Sequence, residues 1–113
     1  DLIDQAPGET SQAVAQRVAR ARKIQRDRYK AREAPDVFTN AAASTHLIEA
    51  VTTPDPDSQA LLLKAAQTFN LSARAYHRVL KVARTIADLA GSERVERPHV
   101  AEALSYRLNM GGA

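Results

Sequence analysis

The segment Ser72 to Ala90 constrains the fold more than any other part of the chain. Tyr76, Val79, Leu80, Ala83, Ile86, Ala87 and Ala90 recur there at three- and four-residue spacing. That is the period of one side of an α-helix, so the spacing predicts a long amphipathic helix. Ser72 can cap its start, because a serine oxygen accepts a hydrogen bond from an otherwise unpaired first-turn amide. Gly91 stops it, as glycine does just past a helix end. Arg74, Arg78, Lys81, Arg84 and Asp88 fall on its other faces. Such a helix must bury its apolar stripe, so the rest of the chain has to supply partners for it.

The partners read as further helices. Thr10 or Ser11 can cap a helix from about Gln12 to Lys30, with Val14, Val18, Ala21 and Gln25 as a narrow inner stripe. Glu33 to Asp36 is a turn, since Pro35 disfavours helix at the residue before it. Val37 to Asn40 is a short docking segment, and Ala41 to Val51 is weakly helical, with Leu47, Ile48 and Val51 inward. After a loop, Asp57 or Ser58 caps a helix to Phe69 whose Leu61, Leu62, Ala65, Ala66 and Phe69 face inward. Asn70 suits the left-handed conformation that ends it. Pro98 at a first helical position opens the last helix, carrying Val100, Ala101, Ala103, Leu104 and Leu108. No stretch shows the alternation of a strand. The expected fold is a single all-α domain, a small bundle of about four to five helices.

Composition agrees with close-packed helices. The chain has 113 residues, enough for one modest domain. Hydrophobic residues make up 44% and aromatic residues only 4%, so the core has to be built from Ala, Leu, Val and Ile. No cysteine is present, which excludes disulfides, thiolate metal sites and a cysteine nucleophile, and fits a reducing, cytoplasmic setting. No apolar run is long enough for a transmembrane helix, and no signal-peptide pattern is seen. The start at Asp1 without Met reads as a piece of something longer. Residues 1–9 are expected to form a flexible leader and 109–113 a flexible tail.

Few residues carry chemistry. His46, His77 and His99 are far apart and lack the clustered or i, i+4 spacing of metal ligands, so no metal site is expected. No catalytic triad, carboxylate pair or P-loop stands out, so the fragment alone is not expected to hydrolyse ATP. Between Ala13 and Arg32 lie eight Lys or Arg and one acid, Asp27. Arg17, Arg22 and Arg26 in this stripe are candidate contacts to nucleic acid or an acidic partner, and a solvated helix face explains them equally well. Thr85 to Ser92 resembles the first helix and turn of a helix-turn-helix. That match is set aside, because the helix begins much earlier and Arg97-Pro98 interrupts the recognition helix. Arg74 stands out in the first turn of the helix capped by Ser72. There it can complement a phosphate oxygen beside positive helix-end amides, or pair with a neighbouring carboxylate. Spacing alone does not choose between them.

The run Leu71-Ser72-Ala73-Arg74-Ala75-Tyr76-His77-Arg78 to Ser92, with His99-Val100-Ala101-Glu102-Ala103-Leu104 and Tyr106-Arg107, closely resembles the C-terminal domain of magnesium-chelatase-like AAA+ ATPases. These are bacterial competence-related proteins of the ComM (YifB) type. Gly8-Glu9-Thr10-Ser11 and Arg17 to Arg22 resemble the start of that domain, whereas Val37 to Pro56 match poorly. The resemblance implies a helical lid following an ATP-binding core that carries the P-loop, the Walker B acids and the arginine finger. It implies that Arg74 is a sensor-2-type arginine for the γ-phosphate of ATP. It further implies that ATP and Mg²⁺ belong to the parent protein and not to this fragment. The partners implied are the core of the same polypeptide, neighbouring subunits of a homo-oligomeric ring and, through the parent, DNA. In the fragment itself Arg74 is then expected to be solvent-accessible.

Overall fold

The computed structural model describes residues 9–109, with side chains to residue 106. The described residues form five α-helices and one 3-10 turn, with no strand. The helices are α1 (Ser11–Ala31), α2 (Thr45–Thr52), α3 (Pro56–Thr68), α4 (Ala73–Leu89) and α5 (Arg97–Asn109), and the 3-10 turn is Asn40–Ala42. The expected all-α bundle is therefore observed. Of the leader expected at 1–9 and the tail expected at 109–113, residues 1–8 and 110–113 lie outside the described residues, as does the side chain of Leu108, while Asn109 is the last residue of α5.

The starts of α1 to α4 are each set by a short polar side chain. Thr10, Ser44, Asp55 and Ser72 accept hydrogen bonds from Ala13, Leu47, Ser58 and Ala75 amides at 3.0, 3.1, 2.8 and 3.1 Å. Each bond satisfies a first-turn donor that has no intrahelical acceptor. The cap of α3 is Asp55, which corrects the expected start at Asp57 or Ser58. Pro56 at the first helical position needs no amide partner, so the helix begins two residues earlier. At α5 the helix starts at Arg97, placing Pro98 second, and the His99 ring accepts from the Glu96 amide at 2.9 Å.

The ends of α1, α3 and α4 share one geometry. Glu33, Asn70 and Gly91 adopt positive φ of 61°, 50° and 74°. The following amides of Ala34, Leu71 and Ser92 reach back to Tyr29, Ala66 and Ala87 carbonyls at 2.9, 3.0 and 2.9 Å. This is the Schellman closure, in which a left-handed residue lets the chain reverse and satisfy free carbonyls.

Helix α4 is central. It packs against α1, α2, α5 and the 3-10 turn, while α3 packs on α5. Tyr29, Ile48, Leu62, Leu80, Val95 and Val100 are fully buried and bring every helix into one core. Each of the aliphatic members contributes about 1.5–3 kcal/mol from burial.

The helix expected over Ala41 to Val51 is shorter. Ala41 and Ala42 belong to the 3-10 turn, and Ser44 caps α2 afterwards. Phe38, in the expected docking segment, is exposed, whereas Asn40 is buried. Phe69, expected inward, is 43% exposed because it lies at the C-cap of α3, where the chain turns away from the core. Ala90 and Ala101 are exposed too. Val95, in the α4–α5 loop, fills core space that no periodic pattern marked.

Candidate functional site

Arg74 is the second residue of α4, two residues after the Ser72 cap and within the first turn. The Ser72 hydroxyl takes the Ala75 amide and the Ser72 carbonyl takes the Tyr76 amide at 2.9 Å. The Ala73 and Arg74 amides precede the first intrahelical bond, so the helix end keeps donor capacity and partial positive charge. The Arg74 side chain is exposed and has no hydrogen bond or ion pair among the described residues. The next turns add Arg78 and Lys81, so α4 presents three cations at i, i+4 and i+7. Nearby, His77 stands between the Ala73 carbonyl and Glu49, each at 2.7 Å.

The three candidate cations of α1 are not brought together. Arg17 points toward α4, lining an open groove with Arg20, Arg78 and Lys81, and it pairs with Glu9. Arg22 comes five residues later, about 140° further round a helix of 3.6 residues per turn. It and Arg26 are exposed away from that groove. The basic stripe is thus two separate edges. Its other members are partly consumed by structure, since Lys23 pairs with Asp27 at 2.9 Å and Arg28 turns inward. Among the described residues no group of three or more His, Asp or Glu side chains is arranged to hold a metal.

The inward turn of Arg28 reveals a polar centre that the sequence pattern missed. Arg28 donates to both oxygens of Asp88, at 2.9 and 2.5 Å. Asn40 donates to Asp88 and to Thr85 at 3.0 Å each, and accepts from the Tyr29 hydroxyl at 2.5 Å. Arg84, only 2% exposed, pairs with Asp88 at 3.1 Å. Its guanidinium also donates to the carbonyls of Val51, Ser92 and Glu93 at 3.0 to 3.2 Å. One arginine therefore ties the end of α2 to the loop after α4. Burial opposes the charge on both arginines. The Asp88 carboxylate overcomes this at Arg28, which is held above its ordinary value, whereas burial prevails at Arg84, which is lowered. Arg84 and Asp88, assigned by periodicity to the outer faces of the helix, are thus interior residues. This cluster holds the scaffold that presents Arg74.

Residues 8–107 match the family model described as "Magnesium chelatase, subunit ChlI C-terminal". The chain belongs to this family. The matched range includes Val37 to Pro56, where motif resemblance was poor. The chain is similar to the competence protein ComM of Haemophilus influenzae, with 42% identity over 88% of the chain and 18% of the relative. It is also similar to the uncharacterized protein YifB of Escherichia coli, with 38% identity over 89% of the chain and 19% of the relative. The uncharacterized protein Rv2897c of Mycobacterium tuberculosis is 38% identical over 90% of the chain and 20% of the relative. The chain spans about a fifth of the length of these relatives. It is a magnesium chelatase C-terminal domain of the kind found in ComM- and YifB-like proteins. No helix among the described residues is long and apolar enough to cross a membrane.

Proposed function

We propose that this domain is the lid of an AAA+ ATPase and that Arg74 is its sensor-2-type arginine. The observation that carries the reading is the state of Arg74: exposed, in the first turn of a capped helix, and unpaired among the described residues. A guanidinium in that setting is free to meet a phosphate oxygen presented by another domain. Phosphoryl transfer depends chiefly on positioned positive charge, so one arginine reaching the γ-phosphate of ATP has a large effect on turnover. ATP and Mg²⁺ are held in this reading by the core of the same polypeptide. The lid responds as a rigid body, because the Arg28–Asp88–Arg84 cluster joins α1, α2 and α4 into one unit. Subunits of a homo-oligomeric ring then couple this response to work on DNA. Family membership and similarity to a competence protein support that assignment.

The test is Arg74→Ala in the full-length protein. ATP turnover should fall about 10²-fold, the usual consequence of removing one charge-stabilising donor. The 113-residue chain carrying the same change should keep its circular dichroism and melting temperature, because Arg74 makes no contact that the fold needs. Turnover at the wild-type rate would remove the sensor assignment.

A further inference from the structure

The groove beside α4 is open, with a volume of about 1000 Å³. Its aliphatic lining comes from Val82, Ile86 and Leu89, which recur at i, i+4 and i+7 and so form one ridge along α4. Val82 is 38% exposed, and Ile86 and Leu89 are half-buried. Four cations border the ridge, Arg17 and Arg20 from α1 and Arg78 and Lys81 from α4. Among the described lining residues the acid is Glu102 of α5, whose carboxylate already accepts from Tyr106 at 3.0 Å. Arg17 pairs with Glu9 and Lys81 donates to the Ala41 carbonyl at 2.9 Å. Arg20 and Arg78 have neither a hydrogen bond nor an ion pair among the described residues.

We propose that this groove docks an acidic amphipathic helix from a protein partner. Both halves of its lining need an occupant. An aliphatic ridge at helical spacing fits apolar anchors at i, i+3 or i+4 and i+7 of a second helix. The bordering arginines complement carboxylates on the flanks of that helix, which fixes its register and speeds its arrival. A nucleic-acid backbone would satisfy the cations but leave the aliphatic ridge wet, and among the described lining residues a single aromatic ring, Tyr106 of α5, faces the groove where stacked bases need a succession of rings. The groove does not include Arg74, so this proposal stands apart from the nucleotide-sensing role.

The experiment is fluorescence anisotropy of the 113-residue chain with a labelled helical peptide of leucine, alanine and glutamate, its leucines on one face. Saturable binding is expected, weakening with added salt. The double variant Arg20→Glu/Arg78→Glu should weaken it about tenfold, since exposed ion pairs are individually weak but both are lost together. Val82→Asn, on the ridge, should weaken it at constant charge. Arg22→Glu/Arg26→Glu, the same charge change on the far side of α1, should leave it within about twofold, as screened distant charges do. The proposal is overturned by absent peptide binding, by equal loss in the two double variants, or by an unaffected Val82→Asn. It is equally overturned if a single-stranded or duplex oligonucleotide binds more tightly than the peptide and displaces it, which would make the groove a nucleic-acid surface.

Discussion

Asp88 shows how much one residue can hold. Its carboxylate is fully enclosed and serves Arg28, Arg84 and Asn40 together. Removing one member of a buried ion cluster leaves the other charges without compensation, at a cost of about 3–5 kcal/mol. Asp88→Asn preserves shape but leaves two arginines facing a neutral amide. It should therefore lower the unfolding free energy in urea by about that amount, a large share of what a domain this size possesses. A loss below about 1 kcal/mol would mean that water replaces the carboxylate without difficulty. Sequence periodicity did not mark this residue. Arg84 and Asp88 sit at i and i+4 on α4, and charged residues so spaced read as a solvent face. Asp88 becomes interior because α1 and the 3-10 turn bring Arg28 and Asn40 onto it, and Arg84 because the end of α2 and the loop after α4 close around it. Arg74 was legible because its signal is local: a serine cap two residues before it places it in the first turn.

At the scale of elements, the helix ends follow local chemistry closely. Gly91, which has no Cβ, and Asn70, whose short polar side chain tolerates the region, occupy left-handed positions. Glu33 occupies the same position at the end of α1 with φ of 61°, and there a glutamate costs about 1–2 kcal/mol. Glu33→Gly should relieve this, less the entropy that a new glycine adds to the unfolded chain, for a net gain of about 0.5–1 kcal/mol. A raised melting temperature is the expected reading, and an unchanged or lowered one would show that the Glu33 side chain contributes something that offsets its strain. The caps at Thr10 and Ser72 were readable from residue type. The start of α3 was misplaced because Asp55 and Asp57 are both competent caps, and only the fixed φ of Pro56 at the first helical position decides between them. The 3-10 turn at Asn40 left no periodic trace, since its role is to deliver one side chain to Asp88.

For the molecule as a whole, α4 is the axis on which α1, α2, α5 and the 3-10 turn are assembled. Protection from hydrogen exchange should follow that arrangement. Amides from Val79 to Ala87, where the side chains of Val79, Leu80, Ala83, Arg84 and Ala87 are buried, should exchange last. The first turns of α1 should exchange early, because no residue from Ser11 to Arg20 is buried. Equal protection in both regions would show that the N-terminal part of α1 is held by contacts beyond this core. The helical character of the domain and the place of Arg74 in the first turn of α4 were determined by the sequence, because caps, stops and periodicity act over one or two turns. Which cations face solvent was decided by tertiary structure alone. Arg28 is drawn to a carboxylate sixty positions away in the chain, Arg17 and Arg20 border a groove, and Arg22 and Arg26 stand apart from both. A periodic pattern gives the angle of a side chain about its own helix, whereas burial and pairing depend on which other helix is packed against that angle.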